Sequence, residues 1–355
     1  MKGKKKECMR KPIKTISAFL KCMLIYTISQ GQIETTILEK SPVMSPQKAI
    51  FFTNRPLIIN EDSTITFQNK FTDKSNTLYF CSYQYDTDSI EVYYKAVNSS
   101  DKYPSEKLSY NFMYDVYKYH RLERGIKNFY TIVGGYGKSF EKQVHSYMKR
   151  IKAAYGDTLF NKALISIFAW GTEDDAYQYY HAVREAKKGA SDFAIYQHML
   201  DEFVSDSVFF ADKPRDFKIN IVFSSMANKL FLEYLENREK QGIPLIKAYN
   251  NITFLGSVAP RDSFEEGKAF HNLNQMTDSV KVFVNSKDVL LKMSSAAHMK
   301  NRMGNKGPKN EDELPDYINV YHIKDIITKK DMSGLGHDYL LTNDELHDII
   351  LKRLQ

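Results

Sequence analysis

Cysteine is scarce: the 355 residues hold three, Cys8, Cys22 and Cys81. Two fall within the first 31 residues, so the body keeps Cys81 alone and no disulfide framework can staple the fold. No cysteine and histidine cluster has the spacing of a zinc site, so no metal is expected. A nucleotide loop is missing too. Gly137-Lys138-Ser139 would need a glycine five positions before Gly137, and position 132 is isoleucine. No cofactor is therefore expected. No internal repeat is visible. The candidate membrane segment near the N-terminus is broken by Lys21 and short for a spanning helix. Beyond the N-terminus neither charge is in excess. Eight basic side chains (Lys2, Lys4, Lys5, Lys6, Arg10, Lys11, Lys14, Lys21) and one acid, Glu7, carry the whole net charge of +7 within the first 31 residues. The remainder is neutral overall, which argues against nucleic acid as a partner.

What is present suits a substantial core, with 43% hydrophobic and 26% charged residues. The N-terminus carries the marks of an export signal. A basic region precedes the apolar stretch Ile16-Ser17-Ala18-Phe19-Leu20, and Ser29-Gln30-Gly31 places small residues before a cleavage point at Gln32. This predicts a periplasmic or secreted protein. The alternatives are an uncleaved anchor, with membrane association through residues 1–31, and a disordered basic tail. Residues 32–48 are polar and read as a linker, residues 49–108 as a β-rich N-terminal extension, and residues 109–355 as the main domain.

Apolar runs and turn residues predict strands at Ala49-Ile50-Phe51-Phe52-Thr53, Leu78-Tyr79-Phe80-Cys81-Ser82-Tyr83 and Ile90-Glu91-Val92-Tyr93-Tyr94, the last two as an antiparallel hairpin. From about residue 110 strands alternate with longer helical patterns, which predicts a mostly parallel sheet. These strands cover residues 129–133, 163–170, 217–223, 252–258, 282–288 and 319–323. Residues 173–212 read as helical. Phe140, Val144, Met148 and Ile151 recur at helical spacing. Thr342-Asn343-Asp344-Glu345 reads as a capping box before a terminal helix with Leu346, Ile349, Ile350 and Leu354 inward.

The most informative stretch is Phe217-Lys218-Ile219-Asn220-Ile221-Val222-Phe223-Ser224-Ser225-Met226-Ala227-Asn228. An apolar strand runs into two serines and then into a helix with Leu230, Phe231, Tyr234 and Leu235 on one face. A serine on such a tight turn is the nucleophile elbow of α/β-hydrolases. The bland alternative is a serine that caps a helix. Asp288 follows a later strand and His337 a later one still, so the chain order is Ser, Asp, His, as in that fold's triad. Asp262, after the preceding strand, is the alternative acid. His298, in a basic Met-containing loop, and His322, inside a strand, compete with His337, which alone lies beyond the last strand. Gly134-Gly135-Tyr136-Gly137 after a strand suits a loop whose backbone approaches a reacting carbonyl, with a bland tight turn as the alternative. Phe223 stands two residues before Ser225, where a small residue is usual. A ring there is expected either to displace the following helix or to meet a small residue, and to slow turnover until Phe223→Ala relieves it.

Several segments together resemble one family, a group of largely uncharacterised bacterial α/β-hydrolases with an N-terminal Thr-Asn-Arg strand. They are Phe51-Phe52-Thr53-Asn54-Arg55, Val133-Gly134-Gly135-Tyr136-Gly137-Lys138-Ser139-Phe140, Phe168-Ala169-Trp170, Ser224-Ser225-Met226-Ala227-Asn228, Ala259-Pro260, Val284-Asn285-Ser286-Lys287-Asp288-Val289-Leu290, Arg302-Met303-Gly304 and Gly336-His337-Asp338-Tyr339. The family pattern has His-Gly-Tyr-Asn at Gly134-Gly135-Tyr136-Gly137, and Ala-His-Ser-Met-Gly-Asn at residues 223–228. Both departures, at Gly134 and at Ala227 with Phe223, border the expected oxyanion site.

The expectation is therefore an α/β-hydrolase fold with helices on both faces of the sheet and a small β-rich N-terminal extension. The expected activity is serine ester or acyl hydrolysis of a small-molecule substrate. Ser225 is the nucleophile, His337 the base and Asp288 the orienting acid, with backbone N–H groups of Met226, Tyr136 and Gly135 around the oxyanion. A catalytically impaired scaffold or binding protein is the alternative.

Overall fold

The apolar runs of the middle of the chain pair side by side because each is hydrophobic on both faces and needs cover on both. The computed structural model describes residues 26–30, 33–37, 48–69, 76–84, 87–98, 111–135, 139–140, 142–146, 148–149, 152, 161–172, 179–298 and 300–327, with 337, 343, 345, 346 and 349. Its strands are β1 (Tyr26–Gln30), β2 (Ile33–Ile37), β3 (Lys48–Thr53), β4 (Leu57–Ile59), β5 (Ile65–Phe67), β6 (Thr77–Gln84), β7 (Ser89–Asn98), β8 (Asn128–Val133), β9 (Ala163–Ala169), β10 (Lys218–Ser224), β11 (Tyr249–Leu255), β12 (Thr277–Val284) and β13 (Ile318–His322). The main sheet runs β1-β2-β7-β6-β3-β9-β8-β10-β11-β12-β13, and β4 with β5 form a separate hairpin. Every pairing from β3 through β13 in that order is parallel, while β1, β2, β7 and β6 pair antiparallel.

The helices are α1 (Phe112–Tyr117), which continues into a π-helical turn at Lys118–Glu123, then α2 (Tyr179–Ser205), α3 (Ala227–Lys240), α4 (Val289–His298) and α5 (Met303–Lys306). Strand alternation sorts the core into two layers. Ile50, Phe52, Ile221 and Phe223 face one cluster with residues of α1, α2 and α3. Ala49, Phe51 and Val222 face the other, with Phe140, Val144, Met148 and Leu346.

Several boundaries differ from the sequence expectation. The stretch read as a linker contains β2, and β1 lies inside residues 1–31. The β-rich stretch is continuous with the main sheet, because β3 pairs with both β6 and β9. β12 ends at Val284, so Asp288 lies in the turn after it rather than on the strand. His298 is the last residue of α4 rather than part of a loop. Within the expected capping box, Asn343 supplies a capping oxygen, accepting from the Leu346 N–H at 2.7 Å, while Thr342 lies outside the described residues. Ile151, Ile350 and Leu354 lie outside the described residues.

Thr53-Asn54-Arg55 has a structural role at the end of β3. Thr53 donates to the Ala169 carbonyl at 2.7 Å. The Asn54 amide donates to Asp192 on α2 at 2.7 Å and accepts from Gly171 N–H at 2.8 Å. Arg55 is fully buried and donates to the carbonyls of Asn69 (2.6 Å) and Gln68 (3.3 Å). These bonds lock β3, β9 and α2 together at the carboxyl ends of the two strands, where buried polar groups must be paired.

His120, in the π-helical turn, is buried, and burial with Arg124 nearby pushes its pKa down to about 3 from 6.5. The unfolded chain takes up a proton below 6.5 while the folded chain stays neutral. Stability therefore falls as pH drops from 6.5 toward 3, by about 1.4 kcal/mol per pH unit from this group. Urea unfolding across that range should show a shallower pH dependence for His120→Gln than for the wild type; equal slopes would exclude the assignment.

Candidate active site

The strand order splits the chain at one place. From β8 the chain crosses to β9 on one side, then returns past β8 to β10 on the other. At such a switch point the segments leaving the two strands diverge and open a crevice at their carboxyl ends. Gly134 and Gly135 leave β8 there, and Ser224 and Ser225 leave β10.

Ser225 has φ 55°, the left-handed region that costs a serine of order 1–2 kcal/mol. Its conformation is held from three sides. The Ser225 N–H donates to the Leu255 carbonyl at the end of β11, at 2.8 Å. The Asn228 side-chain amide donates to the carbonyls of Phe223 (3.0 Å), Ser225 (2.9 Å) and Leu255 (3.4 Å). Asn228, the second residue of α3, is fully buried; its role was not foreseen, and an asparagine three residues after Ser225 was the available signal.

The turn presents the hydroxyl to His337. Ser225 Oγ lies 2.5 Å from His337 Nε2, and His337 Nδ1 lies 2.7 Å from Asp288 Oδ2. Asp288 is fully buried, and its other oxygen accepts from the Leu291 N–H at 2.9 Å, so the same carboxylate caps α4. With Nδ1–H donating to a carboxylate, Nε2 carries the lone pair that faces the serine hydroxyl. The structure thus brings Ser225, His337 and Asp288 together. Asp262 does not join them: it is partly exposed, 3.7 Å from Lys268. His322 is exposed and meets Glu311 at 3.0 Å.

Gly135 packs against the serine. A Cβ on Gly135 would sit 2.9 Å from Ser225 Cβ and 3.3 Å from the Ser224 carbonyl oxygen, so only glycine lets this backbone come so close. The loop is tied from behind. The Trp170 indole donates to the Gly134 carbonyl at 2.6 Å, and Gln143 donates to the Gly135 carbonyl at 3.3 Å. Met226, the buried N-cap of α3, has no acceptor for its N–H among the described residues, so that donor is free at a helix N-terminus. Tyr136 lies outside the described residues. Among the described residues no group of three or more His, Cys, Asp or Glu side chains is placed to hold a metal, and no helix is long and apolar enough to cross a membrane.

Phe223 meets neither expectation set by its bulk. It lies flat on Phe231 of α3, ring centroids 4.2 Å apart and planes 20° apart, with Phe193 edge-on at 5.7 Å and Phe254 at 6.1 Å. The helix stays packed on the strand because an aromatic face, not a small residue, receives the ring. No family model matches the chain, and no curated protein matches it.

The stack changes what truncation should do. Phe223→Ala empties part of an aromatic cluster rather than relieving a clash, and should cost about 3–5 kcal/mol of stability, read from the urea midpoint at unchanged slope. A change below about 1 kcal/mol would mean that the ring is not packed as described.

Proposed function

We propose that the protein is a serine hydrolase of the α/β-hydrolase fold, acting on an ester or acyl bond of a small molecule. One observation carries this reading: the continuous hydrogen-bond chain from Ser225 Oγ through His337 to Asp288, built on a serine whose backbone is held in the left-handed region. Strained backbone at a chemically competent serine is a known mark of a nucleophile.

The chemistry follows from the geometry. Ser225 Oγ attacks the substrate carbonyl while its proton passes to His337 Nε2. Asp288 holds the ring and stabilises the imidazolium that forms. The tetrahedral oxyanion collects the Met226 N–H and donors of the loop after β8. His337 then returns the proton to the leaving group, and an acyl-serine remains. Water, activated by the same histidine, releases the acid and restores Ser225. The alternative of an impaired scaffold drew its motive from Phe223 and from the departures at Gly134 and Ala227; the Phe223–Phe231 stack accommodates the ring and so weakens the first motive only.

A fluorophosphonate probe should label wild type at Ser225 and hydrolysis of an activated short-chain ester should be measurable. Ser225→Ala should abolish labelling, and either Ser225→Ala or His337→Ala should lower ester turnover by about 10⁴-fold or more. Gly135→Ala, which thrusts a methyl at Ser225, should lower turnover by about 10²-fold or more, as loss of an oxyanion donor does. Wild type that neither labels nor turns over would end this reading.

Export through residues 1–31 belongs to the same proposal. Cleavage before Gln32 would remove β1 and leave β2 at the edge of the sheet. N-terminal sequencing of protein from its own cell envelope should find Gln32 first; a soluble internal form that retains Met1 would refute it.

A further inference from the structure

The nucleophile and the acid leave strands that are not neighbours. Ser225 follows β10, Asp288 follows β12, and β11 lies between them without contributing a reacting group. Hydrogen bonds of the sheet hold the strands, but they end before the loops that carry the two side chains. Something beyond the sheet must set the spacing of those loops.

Residues 302–305 bridge them. On one side, they grip the loop that follows β11. Arg302 Nη1 donates to the Val258 carbonyl at 2.9 Å, the Met303 N–H to Ala259 at 2.9 Å and the Gly304 N–H to Ser257 at 2.9 Å. On the other side they grip the acid loop. The Asn285 N–H donates to the Gly304 carbonyl at 2.8 Å, and Asn305 Nδ2 donates to the Asn285 carbonyl at 3.1 Å. Asn285 is fully buried and organises the turn: its side chain accepts from Lys287 N–H at 3.0 Å and its carbonyl from Asp288 N–H at 3.2 Å. Arg302 Nε also reaches Ser294 Oγ at 3.1 Å, on the helix that Asp288 caps.

The approach is tight. A Cβ on Gly304 would sit 2.2 Å from Ser257 N and 2.6 Å from Gly256 C, so the segment touches the loop backbone directly. Leu255, the last residue of β11 before that loop, is the acceptor that holds Ser225 N–H. The bracket therefore links the seat of the serine to the seat of the acid. Arg302 and Asn305 are themselves buried, 8% and 3% exposed, so water does not compete for these bonds.

We propose that Arg302 and Asn305 are positioning residues that set the Asp288 carboxylate against His337, through the backbone contacts of Gly304. The inference rests on reading Ser225, His337 and Asp288 as one working site, and deepens it by naming what aligns the acid. A plain structural brace would lower stability when cut and leave His337 unchanged. A positioning bracket would in addition weaken the carboxylate's hold on the imidazolium, which lowers the histidine pKa.

The test is an NMR titration of the His337 Cε1 proton in wild type, Asn305→Ala, Arg302→Lys and Asp288→Asn, beside thermal unfolding and labelling of Ser225 by a fluorophosphonate. Asp288→Asn should move the His337 midpoint down by about 1–3 pH units. Asn305→Ala and Arg302→Lys should move it in the same direction by a fraction of that, about 0.5 unit or more, and slow labelling with it. Arg302→Lys keeps the charge and decides the matter if Asn305→Ala does not fold. Folded variants whose His337 titrates as in wild type, with only a lower melting temperature, would overturn the proposal. Wild type that is not labelled while the variants still shift His337 would reject the hydrolase and retain the bracket.

Discussion

The left-handed backbone of Ser225 is the constraint on which the site depends. A serine does not stay there unaided, since the neighbouring carbonyl crowds its Cβ. Here the Asn228 amide faces three carbonyls, and the Ser225 N–H is tied to Leu255. Those bonds lie in a buried setting where leaving any of them unmade would cost about 1–3 kcal/mol. Their sum exceeds the strain at one residue, so the turn is kept and the hydroxyl is aimed at His337.

The same logic of paired buried polar groups recurs at a distance from the serine. Asn54 joins β3, β9 and α2 through Asp192 and Gly171. Arg238 on α3 meets Asp201 on α2 at 2.7 Å, both nearly inaccessible. Burial pushes the Asp201 carboxyl up while Arg238 and Gln197 hold it down. Removing one partner of such a pair strands the other, which makes each pair a point of specificity for how α2 and α3 lie on the sheet. The aromatic stack of Phe223, Phe231 and Phe193 fills the space between these helices and β10, so the elbow rests on a filled layer.

Much of the architecture was legible because it is local. Alternating and continuous apolar runs located β3, β6, β8, β9, β10, β11 and β13 closely, cut β7 short at its end and placed β12 too late in the chain, and the four-residue steps at Phe140, Val144 and Met148 marked an inward face. β1 and β2 were not visible, since Tyr26-Thr27-Ile28-Ser29-Gln30 and the polar strand after it owe their order to pairing with each other and with β7. The π-helical turn at Lys118–Glu123 left no periodic signal either.

For the site, local patterns alone marked the candidates and their order: a serine on a strand-to-helix turn, an acid after a later strand, a histidine beyond the last. Chain order and turn chemistry are properties of neighbouring residues, and they survive in a string of letters. The choice of Asp288 over Asp262, the face-on accommodation of Phe223, the role of Asn228 and the bracket at Arg302 and Asn305 were decided only by the tertiary structure. Each depends on which groups end within about 3 Å of one another after residues tens of positions apart have packed, and no local pattern encodes that distance.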